Sequence, residues 1–279
     1  MWTLFLIELY KIFQRPRTYI SFIAIAAIVL LIQLAFYADG QTYISFMLST
    51  INSSFSVEGK ILNGYLICFI VLQTLLIHVP LLIALVAGDM IAGEANMGTL
   101  RLLISKPISR SKIIVAKFMA SSMYTLMLLV WMALLSLFLS MAIFGTGDLM
   151  IFKSSEIIIH PENDVFWRYF AAFGFAAIAM TCVASLALLL SLFADNSIGP
   201  IVATMSVIIF FTILTTMDLP LFNAVKPFIF TSHMLGWKGF FDNPISYQSV
   251  FRSASILVFH ILVFTSAAVV IFNRKDILS

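Results

Sequence analysis

Residues 18–38 read TYISFIAIAAIVLLIQLAFYA, an uncharged run held between Arg17 and Asp39. Wound as a helix at 1.5 Å per residue it is about 31 Å long, which matches the roughly 30 Å hydrocarbon core of a bilayer. In water such a helix would have no polar face to present. In lipid every backbone group is satisfied within the helix, so the run is stable there and almost nowhere else. Five further stretches meet the same test: 61–88, 113–144, 169–193, 197–217 and 253–272. The composition agrees, with 62% hydrophobic and 10% charged residues and a mean hydropathy of +1.07. Soluble domains carry roughly 25% charged residues. The reading is an all-α integral membrane protein with six transmembrane helices, one domain over residues 1–279.

Six spans put both termini on one side. That side collects Lys11, Arg15, Arg17, Arg101, Lys106, Arg110, Lys112, Lys117, Arg274 and Lys275, against Lys60, Lys153, Arg168, Lys226, Lys238 and Arg252 on the other. By the positive-inside rule the termini are expected in the cytoplasm and the chain as a multi-pass protein of the cytoplasmic (inner) membrane. The opposite side also holds most acids, among them Glu58, Asp148, Glu156, Asp218 and Asp242. Ahead of the first span, residues 1–15 show Trp2, Phe5, Leu6, Leu9, Ile12 and Phe13 at helical spacing, with Glu8, Lys11 and Gln14 across from them. This predicts an amphipathic helix lying in the membrane interface, apolar face to the lipid. Three loops opposite the termini begin at Asp39, Gly145 and Asp218. The third is rich in aromatic and turn residues, including Phe228, Phe230, Trp237, Phe240 and Phe241, and predicts short helices with rings at the headgroup level.

Chemistry is conspicuous by its residue types being absent. A net charge of +3 gives no reason to expect nucleic acid as a partner. The Gly59-Lys60 pair lacks the upstream glycine of a phosphate-cradling loop, so no nucleotide hydrolysis is expected in this chain. Cys68 and Cys182 fall inside apolar runs and read as small core residues. His78, His160, His233 and His260 show no metal-ligand spacing, and no metal site is expected. No span centre carries an acidic or basic residue, which argues against proton-coupled antiport and charged ion filters. Of the few polar residues within spans, Gln73, Thr74 and His78 lie close together on the second and are the pathway-lining candidates; helix–helix hydrogen bonding is the plainer use of Gln33, Thr181, Ser185, Thr204 and Thr212.

The segment most dense in signal is 89–117, DMIAGEANMGTLRLLISKPISRSKIIVAK. It reads as a short amphipathic cytoplasmic helix stopped at Pro107, because a proline ring removes a donor and clashes one turn back. Ile91, Ala95, Gly98, Leu102 and Ser105 would share one edge, Gly98 allowing close helix approach. Asp89, Glu94 and Arg101 would offer charge to a partner, and Lys112 and Lys117 would snorkel to headgroups. The run Gly93-Glu94, Gly98-Thr99-Leu100, Leu103-Ile104-Ser105, Pro107, Ser109-Arg110 and Lys117 resembles the signature of type-2 ABC exporter permeases, as does the ending Phe272-Asn273-Arg274-Lys275-Asp276. The interfacial helix, the tight turn at Asp195-Asn196 and the aromatic segment before the last span are similar to that family too.

The resemblance implies a division of labour. The chain would be a permease pairing with a second copy or a paralogue in the lipid bilayer, each docking a cytoplasmic ABC ATPase subunit. No cofactor would bind here; ATP and magnesium would sit on the ATPase. Asp89, Glu94, Gly98, Thr99, Leu100, Arg101, Pro107, Ser109 and Arg110 would form the ATPase-coupling element between spans two and three. Exported cargo would be amphipathic or hydrophobic. The alternative is a membrane scaffold that spends the same ATPase's work on envelope assembly. A lipid-modifying enzyme has no catalytic constellation to support it.

Overall fold

The first apolar run does not stop where its hydrophobic character fades. In the computed structural model, which describes residues 1–49, 61–153, 156–217 and 220–275, α1 (Trp2–Phe13) is followed by α2 (Pro16–Ser49). The loop expected from Asp39 is therefore helical for its first eleven residues, since no proline interrupts it. Glu58, Gly59, Lys60, Asp218 and Asp276, all named above, lie outside the described residues.

Six helices among the described residues are long and apolar enough to cross a membrane, so the chain is a multi-pass α-helical membrane protein. After α2, the second span is α3 (Gly64–Ala87), whose first turn is capped by Asn63: Oδ1 accepts from the Leu66 N–H at 3.0 Å. Next come the short α4 (Asp89–Asn96) and α5 (Thr99–Ile104). The third span is α6 (Arg110–Ala133), a π-helical turn at Leu134–Leu139, and α7 (Ser140–Phe144). The fourth is α8 (Glu162–Leu190), the fifth α9 (Ile198–Thr216) and the sixth α12 (Tyr247–Arg274), with α10 (Pro220–Asn223) and α11 (Phe230–His233) before it.

The innermost spans are α3 and α8. Ile67, Val71, Leu72, Leu75, Val79 and Ile83 of α3 are wholly buried, packed against α2, α8 and α9. The π turn in the third span widens the helix by one residue and frees backbone carbonyls. Gln33 of α2 takes up the slack, donating from Nε2 to the Leu135 carbonyl and to Ser140 Oγ, both at 2.9 Å. The periodicity of an apolar run cannot show such a turn, because every residue in it is compatible with either winding.

Opposite the termini the fold departs from purely helical. Strands β1 (Leu149–Phe152) and β2 (Ile157–His160) pair antiparallel, Leu149 opposite His160 and Phe152 opposite Ile157. The 157–160 run IIIH is β-branched and marks the strand in retrospect. Short helices and 3-10 turns before α12 form as expected, but their rings do not sit among headgroups. Phe230, Trp237 and Phe241 are buried, with Phe241 against Tyr169, Phe69 and Trp237. Only Phe228 of this set is strongly exposed. Lys153 Nζ reaches Asp242 at 2.7 Å and ties hairpin to turn.

His160 fastens the same layer, its Nε2 3.1 Å from the Phe241 carbonyl and so the protonated nitrogen of a neutral ring. Burial pushes its pKa below the ordinary value of 6.5; the Phe241 carbonyl and Asp164 pull it back up, and Arg168 and Lys153 add to the lowering. A histidine depressed in the folded state gives stability that is full above about pH 6.5 and lost as pH falls through that value and the folded one. As pH falls from 7.5 to 5, the protection of amides 157–160 and 236–241, measured against their intrinsic exchange rates, is expected to drop in the wild type, and His160→Gln to flatten the dependence. Protection that is flat with pH in the wild type would contradict this.

A charge-pinned elbow as candidate functional site

On the face carrying both termini, α4 and α5 make a bend. Gly98 stands between them with φ +70°, a left-handed conformation that glycine adopts freely and other residues rarely. Nothing lies within 4 Å of where its Cβ would be, so its role is the bend and not close approach. The single helix expected up to Pro107 is thus two helices. The second ends at Ile104, because the residues just before a proline leave the helical region. Ile91 is consequently buried while Leu102 is 68% exposed, and they share no edge. Gly98→Val puts a β-branched side chain at positive φ and is expected to cost about 1–2 kcal/mol. Its thermal midpoint should fall while Gly98→Asn stays close to wild type; equal losses would show that the conformation is not what matters.

The acids of α4 point inward. Glu94 is 4% exposed and meets Lys11 and Lys117, each at 2.9 Å. Glu8 of α1, 2% exposed, meets the same two lysines at 2.8 Å. Asp89 is likewise buried between Arg15, which also reaches its carbonyl, and Arg17 at 2.9 Å. Here it is Gly93 that permits close approach: a Cβ would stand 2.4 Å from Asp89 Oδ1 and 2.9 Å from Arg15 Nη1.

Three sequence expectations change with this geometry. Asp89 and Glu94 do not offer charge to a partner. Glu8 is not on the wet side of α1: with Phe5 and Ile12 it forms the stripe turned into the protein, whereas Trp2 and Leu6 are exposed. Lys117 does not snorkel. It is 1% exposed, donates to Glu8 Oε2 at 2.8 Å and to the Met90 carbonyl at 2.9 Å, and forms an ion pair with Glu94 at 2.9 Å. A lone charge inside the apolar 113–144 run was the available signal, since an unpaired ammonium could not stay there. Burial alone would lower Lys11, but Glu8 and Glu94 outweigh it and hold the ammonium above its ordinary 10.5. On the lysine side its pairs therefore fail only as pH rises through the raised value. On the acid side burial alone would raise the Glu94 carboxyl, but Lys117 and Lys11 hold it below its ordinary value, so the pairing is lost only as pH falls through that lowered value.

What the elbow leaves uncovered is the α4–α5 corner. Met97 and Leu102 are 58% and 68% exposed, beside exposed Asn96, Thr99 and Arg101; Leu100 is buried beneath them. Thr99 Oγ1 donates back to the Glu94 carbonyl at 3.3 Å and closes the bend. Two clefts of about 320 Å³ flank Arg15, one toward Lys11 and Met97, the other toward Arg17 and Asn96. Past Pro107 and Ser109, both exposed, Arg110 turns away from the elbow. It donates to the carbonyls of Phe272 at 3.2 Å and Lys275 at 2.7 Å, satisfying the last turn of α12.

The pathway candidates fall elsewhere. Gln73 and Thr74 line one cleft toward the opposite face, and His78, exposed one turn deeper, does not. The structure does not join them to the elbow.

Known proteins place the chain more coarsely than its geometry does. It is 24% identical over 199 residues to "Uncharacterized protein YhcI" of Bacillus subtilis (strain 168), covering 69% of this chain and 63% of that protein. The chain thus spans somewhat less than two thirds of that relative's length. The family described as "Protein of unknown function (DUF2705)" matches residues 17–278, nearly the whole length, and the chain belongs to the DUF2705 family.

Proposed function

We propose that the chain is the membrane-embedded permease of a type-2 ABC exporter, driven by a separate ATPase that docks on the α4–α5 elbow from the cytoplasm. The observation that carries this reading is the pairing of an exposed corner with a rigid mount. Met97 and Leu102 stand out from a bend whose other face is fixed by seven charged side chains to α1, α2 and α6. A partner gripping those two apolar residues would move α4, and α4 would carry the starts of the first and third spans with it. A loop resting on lipid has no need of such a mount.

Arg101, exposed beside Leu102, is the one charge of the elbow left for that partner. Asp89, Glu94 and Gly98 support the surface from behind, and Arg110 holds the end of α12. Two such chains, or one with a paralogue, would form the membrane unit, and the cargo would be amphipathic or hydrophobic.

The test is purification in mild detergent together with the products of neighbouring genes. Recovery of an ABC ATPase at one-to-one stoichiometry, with ATP-dependent uptake of an amphiphile into inverted vesicles, is the expected result. A chain that purifies alone and leaves ATPase activity unchanged would end the proposal. ATPase recovered without any cargo movement would favour the scaffold reading.

A further inference from the structure

One side of α3 is turned away from the bundle at the depth where that is most costly. Gln73, Ile77, His78 and Leu81 are exposed on a helix whose other side is the innermost core. Gln73 lies nine residues from Gly64, about 14 Å down a span of roughly 30 Å, and so close to the bilayer midplane. Acyl chains cannot replace the hydrogen bonds an amide loses there. His78 meets the problem locally, its Nδ1 2.8 Å from the Thr74 carbonyl. Among the described residues Gln73 has no such partner.

Above Gln73, toward the face opposite the termini, lies a cleft of about 200 Å³. Tyr43 of α2, Phe69 and Ile70 of α3 and Ile151 of β1 form its walls, and Gln73 and Thr74 its deep end. A single water needs only about 10–15 Å³ on this measure, so the space is of ligand size. None of its lining residues is charged. An ion, or a phosphodiester headgroup drawn to this depth, would be desolvated without compensation. The polar inventory is one amide, one aliphatic hydroxyl and one phenol, all of which pair with neutral donors and acceptors.

We infer that this cleft binds a neutral, hydrogen-bonding amphiphile drawn from the bilayer, of the class of diacylglycerols and long-chain alcohols. Its hydroxyl meets Gln73 and Thr74, and its apolar body lies along Phe69, Ile70 and Ile151. That this ligand is also the cargo rests on the permease reading; the binding does not.

The experiment uses the full chain in phosphatidylcholine nanodiscs, without ATP or any ATPase. A diazirine-bearing diacylglycerol and a diazirine-bearing phosphatidylcholine are photolysed in parallel, and labelled peptides are mapped. The neutral probe is expected to label 66–74 and 149–152 in preference to the phospholipid. Gln73→Leu, at an exposed position, should bind it about fivefold more weakly, the worth of one hydrogen bond. Ile70→Trp should block it by filling the wall, with thermal midpoints unchanged in both. Equal labelling by the two probes would reduce the cleft to ordinary lipid contact and overturn the inference. So would labelling indifferent to both variants, or a Gln73→Cys chain that cross-links to a second copy through that position and excludes the probe. Loss of ATPase association with labelling intact would instead sink only the permease reading.

Discussion

Lys117→Met is expected to lose about 3–5 kcal/mol of stability, the cost of removing one member of a buried ion pair and stranding the rest. The methionine fills much the same volume, so packing is nearly conserved and the loss is electrostatic. It strands two carboxylates, Glu8 and Glu94, which are 2% and 4% exposed, and a carbonyl at Met90. Lys11 remains for both acids but is itself 38% exposed at its side chain and shared with water. Lys11→Met should therefore cost markedly less, because Lys117 still holds Glu8 and Glu94 and solvent shields the change. Thermal unfolding in detergent, scored by the loss of monodisperse protein, ranks the two variants. A Lys117→Met midpoint equal to that of Lys11→Met would mean the alternating square of two lysines and two glutamates contributes no more than a surface pair. The triple variant Glu8→Gln, Glu94→Gln, Lys117→Met removes the three buried charges of that square at once. It should recover part of the loss, as replacing a whole buried network is far milder than breaking it.

How legible this was depends on the length scale of each signal. Spans were readable because twenty apolar residues have one stable solution in lipid, and α3, α8, α9 and α12 overlap the runs 61–88, 169–193, 197–217 and 253–272, although α8 and α12 begin seven and six residues earlier than those runs. The corner at Gly98 was readable as an important glycine but not as a bend. Its Cβ environment is empty and only its φ shows the reason. Glu8, Glu94 and Lys117 were each visible as charges, yet periodicity assigned them to water. It counts which face of one helix is polar and cannot know that three helices turn those faces toward each other. The hairpin 149–160 was hidden for a different reason: four-residue strands carry too little alternation to stand out inside an apolar chain. Of the nine residues expected to couple to a partner, Arg101 and Thr99 are exposed at the corner. Asp89, Glu94 and Leu100 are buried beneath it, and Arg110 serves α12. Of the surface that does stand out, Leu102 was read only as part of a helix edge and Met97 was not singled out, because apolar residues draw no notice in a protein that is 62% hydrophobic.

Leu102→Asp follows from that surface and is expected to abolish coupling while leaving the fold intact. A side chain 68% exposed on a six-residue helix supports little of the chain's stability, so its thermal midpoint should stay within the scatter of surface variants, about 0.5 kcal/mol. At a protein interface the same change buries an unpaired carboxylate where an apolar anchor had been, and anchor residues of this kind are worth about 2 kcal/mol or more, some thirtyfold in affinity. ATPase recovery in pull-downs and ATP-driven uptake should fall together by at least that factor. Met97→Asp, one side of the bend away, should behave alike, and Arg101→Glu should weaken binding chiefly at low salt, as an exposed charge does. Glu94→Lys cannot serve as the test, because it sets a third cation against Lys11 and Lys117 and would unfold the elbow before any docking could be read. Normal uptake in Leu102→Asp and Met97→Asp would leave the elbow a structural bend, and the partner would have to be sought on another face.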